Sequence, residues 1–234
     1  MKIYFDNEGL IESQEFYNDK ELQYYLFSSI SIVYPFTKYE EELAQINDYC
    51  FFILCQLENK LVHLIKDSEA KFELVKGYES ERAYRMKEIN DAFDPEYMFS
   101  PVKVWEKLSL NINKCTMLLL VLSYFESSLN EITNWFCKET LISFGRKEKG
   151  DNEVSFYLKK ISECCDFNLT EILTEELDYL NYIRKIRNQF VHKEWDQVKE
   201  NYTKFRLCDV FNTVSLIFIS IEKAACNAGI ISEL

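Results

Sequence analysis

Cys115-Thr116-Met117-Leu118-Leu119-Leu120-Val121-Leu122-Ser123-Tyr124-Phe125 is the stretch that decides the fold. From Met117 to Phe125 it is apolar on nearly all sides, the pattern of a helix enclosed by other elements. A helix that crosses a bilayer needs about 20 apolar residues, and this run has only 11. It is therefore read as the central helix of a soluble, all-α bundle, with no membrane involvement. Its start is marked by Ser100-Pro101, an N-cap residue followed by proline at the first helical position. The helix is expected from Pro101 to about Thr140.

Downstream, Gly145 to Asp151 reads as a loop and Glu153 to Cys164 as a short helix. Thr170 or Asn168 can cap a helix from about Glu171 to His192. A last helix is expected to start between Trp195 and Lys204 and to reach Asn227, with Gly229 just past its end. Residues 101 to 230 thus form a four-helix arrangement.

Upstream, Leu43, Ile46, Phe51 (or Cys50), Leu54, Leu57, Leu61 and Leu64 make an apolar stripe at helical spacing between Tyr39 and Ile65. Lys66 to Asp94 is charged and reads as an exposed helix or a mobile loop. Lys2 to Phe5 and Ser29 to Phe36 are short strands or irregular segments, and Pro35 stops any helix arriving there. The chain is divided accordingly into 1–100, a mostly helical N-terminal extension that fits no family, and 101–234, the bundle.

The 234 residues include only 5 Gly and 3 Pro, too few for the turns of an all-β protein. Eighteen Phe and 15 Tyr argue for a packed core rather than disorder. A net charge of −12 disfavours non-specific binding to nucleic acid, since phosphate contacts need Lys and Arg. Eight cysteines occur without a Cys-x-x-Cys pair, and neither histidine has zinc-site spacing to one. They read as reduced core thiols of a cytoplasmic protein. The N-terminus has no apolar signal-peptide segment, and no metal or other cofactor is expected. His63 has apolar neighbours and reads as structural.

The chemically informative run is Arg187-Asn188-Gln189-Phe190-Val191-His192. Arg184, Lys185, Arg187 and Lys193 surround it with no acidic residue between Tyr179 and Lys193, a positive island on an acidic chain. Asn188 and His192 are four apart and share a helix face, which Arg184 extends. Arg187 and His192 are five apart, roughly 140° around the axis. They converge only if the helix ends near His192 or a second copy faces the first. Histidine moves a proton near neutral pH, and arginine grips phosphate through paired hydrogen bonds. Asparagine orients the imidazole or binds a phosphate oxygen. The set suits metal-free RNA cleavage by the 2′-hydroxyl. His192 would be the general acid or base, and Arg187 would neutralise the phosphorane. The plainer alternative has Arg187 paired with a core carboxylate and His192 capping a helix end.

Arg187-Asn188-x-x-x-His192 resembles the Arg-x(4–6)-His signature of the HEPN superfamily, in which Asn commonly follows Arg. Tyr124-Phe125-Glu126, within the long apolar helix, resembles the aromatic-Glu step of many HEPN proteins. The resemblance covers roughly 101 to 230. It implies a four- to five-helix bundle with the motif in a late helix and one more helix after it. It also implies a homodimer whose two motifs share a cleft, with Glu126 partnering Arg187 and with Arg184 and Lys185 in support. Many such proteins are endoribonucleases of toxin–antitoxin, abortive-infection or other defence systems, so RNA as substrate and an antitoxin or regulatory protein as partner are expected. Others keep the fold only as a binding module, and the acidity of this chain leans that way.

Overall fold

The computed structural model describes residues 33–75, 112–147, 152–192 and 205–231, which are helical with short connections and contain no strand. In chain order the helices are α1 (Phe36–Val75), α2 (Lys114–Thr140), α3 (Glu153–Cys165), α4 (Leu169–Ile172), α5 (Thr174–Val191) and α6 (Leu207–Asn227). The protein is an all-α helical bundle. Among the described residues no helix is long and apolar enough to cross a membrane. The segment expected at 2–5, residues 29–32 of the one expected at 29–36, the Ser100-Pro101 cap, and residues 76–94 of the charged stretch lie outside the described residues; residues 33–35 are irregular, and Phe36 already begins α1.

α2 is central, as its sequence requires. Leu118, Leu122, Phe125, Leu129, Ile132 and Phe136 are all buried. Against them α6 buries Phe211, Val214, Ile217, Phe218 and Ile221. The Phe125 ring lies 5.7 Å from that of Phe218, which in turn lies 6.1 Å from Tyr39 of α1. Phe36, Tyr39, Leu43 and Cys50 of α1 belong to this same core, so part of the stretch before residue 100 packs inside the bundle. Of the two alternatives at 50 and 51 in the stripe, Cys50 is buried in this core. The Tyr124 hydroxyl donates to the Tyr39 carbonyl at 2.7 Å, and Lys38 pairs with Glu131 at 3.2 Å. These contacts run α1 antiparallel to α2. Beyond the apolar stripe α1 continues through the charged segment to Val75.

Helix ends differ from expectation in two places. The expected helix over 171–192 is two helices, α4 and α5, broken at Leu173 (φ −95°, ψ 25°). The break lets Leu169 and Leu173 both enter the core, and the Thr174 hydroxyl donates to the Glu171 carbonyl at 2.7 Å, one of those freed there. Asn168, not Thr170, is the cap, accepting the Glu171 N–H at 3.3 Å. The last helix begins at Leu207 rather than between 195 and 204. Phe205, just before the extended Arg206 (φ −114°, ψ 139°), is buried in the core, with the Lys114 ammonium 4.5 Å above its ring. Arg206 then grips Asp209 at 2.8 Å across the first turn, where a carboxylate also favours the helix dipole. At the other end Gly229 (φ 68°) donates to the Cys226 carbonyl at 2.9 Å, and Ile230 to the Ala225 carbonyl at 3.0 Å, a closure that needs a left-handed residue.

Residues 142–147 have no regular structure, which includes the described part, 145–147, of the loop expected at 145–151. It returns along α3: the Phe144 ring lies 5.8 Å from Phe156, and Gly145 faces Lys160. The start of α3 lies near Glu126 of α2 through Tyr157, and Cys164 at its end lies near Cys137. α2 and α3 therefore run in the same direction.

Candidate functional site

α5 sorts its residues by face. Leu180, Ile183 and Ile186 are buried. Arg184 and Arg187 stand at the border of that stripe, with side chains 19% and 17% exposed. Lys185, Asn188 and His192 are in solvent.

A guanidinium left half-buried without a counter-charge is costly. Glu126, one turn past the Leu122 layer of α2, supplies that charge to both. Its Oε1 lies 3.1 Å from Arg184 Nη2 and 3.6 Å from Arg187 Nη2, and it is itself 18% exposed. These are ion-pair contacts rather than directed hydrogen bonds, because Oε1 lacks a partner of good hydrogen-bond geometry. Nε of Arg187 is also buried with no hydrogen-bond partner among the described residues. The phenol of Tyr157 is pushed up by burial, then by the charges of Glu153 and Glu126.

Arg184 carries the cluster onto α3. Its Nη1 donates to Oδ1 of Asn152. The same oxygen caps α3 by accepting the Val154 N–H at 3.1 Å. Nδ2 of Asn152 donates to Oδ1 of Asn181 at 2.7 Å. One amide thus ties the start of α3 to α5, and Arg184 ties both to α2. Sequence reading missed Asn152 and Asn181. Asn152 carried a legible signal as the N-cap type just before Glu153. Asn181, three before Arg184, carried only its helical spacing.

His192 is the residue at which α5 ends (φ −83°, ψ 8°), its backbone N–H donating to the Asn188 carbonyl at 2.9 Å. The helix stops where Arg187 and His192 require it to if they are to act on one atom. Among the described residues, no hydrogen bond or ion pair joins the side chains of His192, Asn188 or Lys185 to the Glu126 cluster. Val191 beside them is 50% exposed. No group of three or more His, Cys, Asp and Glu among the described residues is placed to hold a metal ion.

Compared with protein-family models, with curated proteins and with solved structures, the chain matches none.

Proposed function

We propose that this chain is a metal-independent endoribonuclease of the HEPN type, acting in the cytoplasm within a toxin–antitoxin, abortive-infection or other defence system. One observation carries the reading. A half-buried arginine, whose buried Nε has no hydrogen-bond partner among the described residues, is held by Glu126 near the helix end that also presents Asn188 and His192 to solvent. In the reaction, His192 takes the proton of the 2′-hydroxyl or gives one to the leaving 5′-oxygen. Arg187 neutralises the phosphorane between. Asn188 orients the imidazole or the phosphate, and Arg184 and Lys185 add positive charge. Two copies facing each other bring the paired motifs into one cleft, and an antitoxin or regulatory protein would restrain it.

A second reading, a non-catalytic binding module of the same fold, is favoured by a different observation. Glu126 already pairs with both arginines, and among the described residues no hydrogen bond or ion pair joins the His192 side chain to them.

The test is cleavage of total RNA in EDTA by the wild type, Arg187→Ala and His192→Ala, with helicity and dimerisation of each checked. The expected result is cutting by the wild type and a loss on the order of 100-fold or more in each folded variant. Intact RNA with the wild type, or undiminished cutting by folded His192→Ala, overturns the catalytic reading.

A further inference from the structure

We propose that Glu126 is a displaceable stand-in for an RNA phosphate. Its carboxylate occupies Arg187 until a phosphodiester of single-stranded RNA takes that guanidinium, and it then rests wholly on Arg184. This restraint on the site rests on the ribonuclease reading for its ligand.

The two arginines are not held alike. Arg184 has two partners. Its Nη1 donates to Oδ1 of Asn152, and its Nη2 lies 3.1 Å from Glu126 Oε1. Asn152 is itself fixed: the same Oδ1 accepts the Val154 N–H at 3.1 Å, and its Nδ2 donates to Asn181 at 2.7 Å. Arg187 has the longer contact, 3.6 Å from Nη2 to the same Glu126 oxygen, and its buried Nε has no hydrogen-bond partner among the described residues. Oε1 of Glu126 is likewise buried without a directed hydrogen bond.

One carboxylate oxygen is thus paired by charge with two guanidinia and well bonded to neither. Buried polar groups in that state are costly, so the shared arrangement is easily left. Arg187 gives up one ion-pair contact and no directed hydrogen bond when it moves off Glu126. A phosphodiester offers it two oxygens, which Nε and one Nη can bond side by side. Charge stays balanced in the exchange. Two guanidinia against one carboxylate leave a single positive charge, and one phosphodiester carries a single negative charge. Glu126 closes on Arg184, which Asn152 keeps in place. Asn188 and His192 lie in solvent on the same stretch of α5, so Arg187 has only to swing outward to reach the phosphate they face.

The test measures binding apart from cutting. The probe is a single-stranded RNA oligomer with every 2′-hydroxyl methylated, in EDTA at fixed salt, read by fluorescence anisotropy on the full chain. Glu126→Gln keeps the shape and drops the charge, and is expected to lower Kd roughly 5- to 20-fold. Arg187→Ala should weaken binding, and adding Glu126→Gln to it should then change nothing, a coupling that a merely structural Glu126 would not show. Asn152→Ser keeps a cap on α3 and every charge but loosens Arg184, so Glu126 stays on Arg187 and Kd should rise roughly 2- to 10-fold. The proposal is overturned if folded Glu126→Gln binds no tighter than the wild type, if the tightening persists without Arg187, or if neither protein binds the probe. Should Glu126→Gln fail to fold, unchanged or tighter binding by Asn152→Ser overturns it. Cutting of unmodified RNA by the wild type beside an unchanged Kd in Glu126→Gln sinks this exchange and leaves the ribonuclease reading. A tightened Kd with no cutting keeps the exchange and overturns the catalytic reading.

Discussion

Glu126 is the residue on which two guanidinia depend. Removing its charge leaves Arg184 and Arg187 half-buried beside each other. Glu126→Gln is therefore expected to lower stability by about 1–3 kcal/mol, measurable by urea unfolding at neutral pH. His192 differs: its side chain is exposed at a helix end, so His192→Ala should shift stability by no more than about 0.5 kcal/mol. The same unfolding experiment on both variants separates residues that hold the fold from residues available for chemistry. At this scale the sequence was partly readable. The island from Arg184 to His192 stood out because acidic residues are missing from it, and Glu126 was singled out by its place after Tyr124-Phe125. The Arg184–Asn152–Asn181 chain was not readable, because Asn152 lies on another helix and only packing brings it to Arg184.

Among the elements, α1 carries an unusual group. Glu40 is 1% exposed, faces Ser215 Oγ at 3.5 Å and the Glu222 carboxylate of α6, and its Oε2 has no hydrogen-bond partner among the described residues. Burial, reinforced by Glu222 and opposed by the Ser215 hydroxyl, raises its carboxyl from 4.5 to about 7. The folded chain therefore holds this proton more tightly than the unfolded chain. Stability contributed here falls as pH rises from about 4.5 through about 7 and levels off above. Glu40→Gln mimics the protonated form, so it should remove that decline and gain on the order of 1–3 kcal/mol above pH 7, read from urea midpoints across pH. A smaller prediction concerns the end of α2. Leu141 sits at φ 58° and is 92% exposed, so Leu141→Gly should stabilise by about 0.5 kcal/mol in thermal melts. The helices were legible from apolar spacing, and so were the ends near Thr140, Glu153, His192 and Asn227, but two other ends were not. The break at Leu173 and the start at Leu207 follow from where Leu173 and Phe205 find room in the core, which no local pattern records.

For the whole molecule, the core joins residues far apart in the chain. Phe218 touches both Phe125 and Tyr39, so Phe218→Ala should cost about 3–5 kcal/mol. A fragment of 101–234 lacks Phe36, Tyr39 and Leu43, which the core contains. It is expected to melt well below the full chain in circular dichroism, or to aggregate through the exposed faces of Phe125 and Phe218. The all-α class was legible from scarce Gly and Pro and from the apolar run at 115–125. The packing of α1 onto that run was less so, because a stripe shows that a helix has an apolar face but not which neighbour covers it.

The shared direction of α2 and α3 also bears on how quickly the chain finds its fold. A helical hairpin closes through contacts between residues near the turn, with little loop entropy lost before the first contacts form. Here Cys137 lies near Cys164 and Glu126 near Tyr157, and the connection must first run back along α3. Every contact in this helix pair therefore has a sequence separation set by the whole return path. The relative contact order is raised for a helical protein, which places its refolding rate toward the slower end for all-α chains.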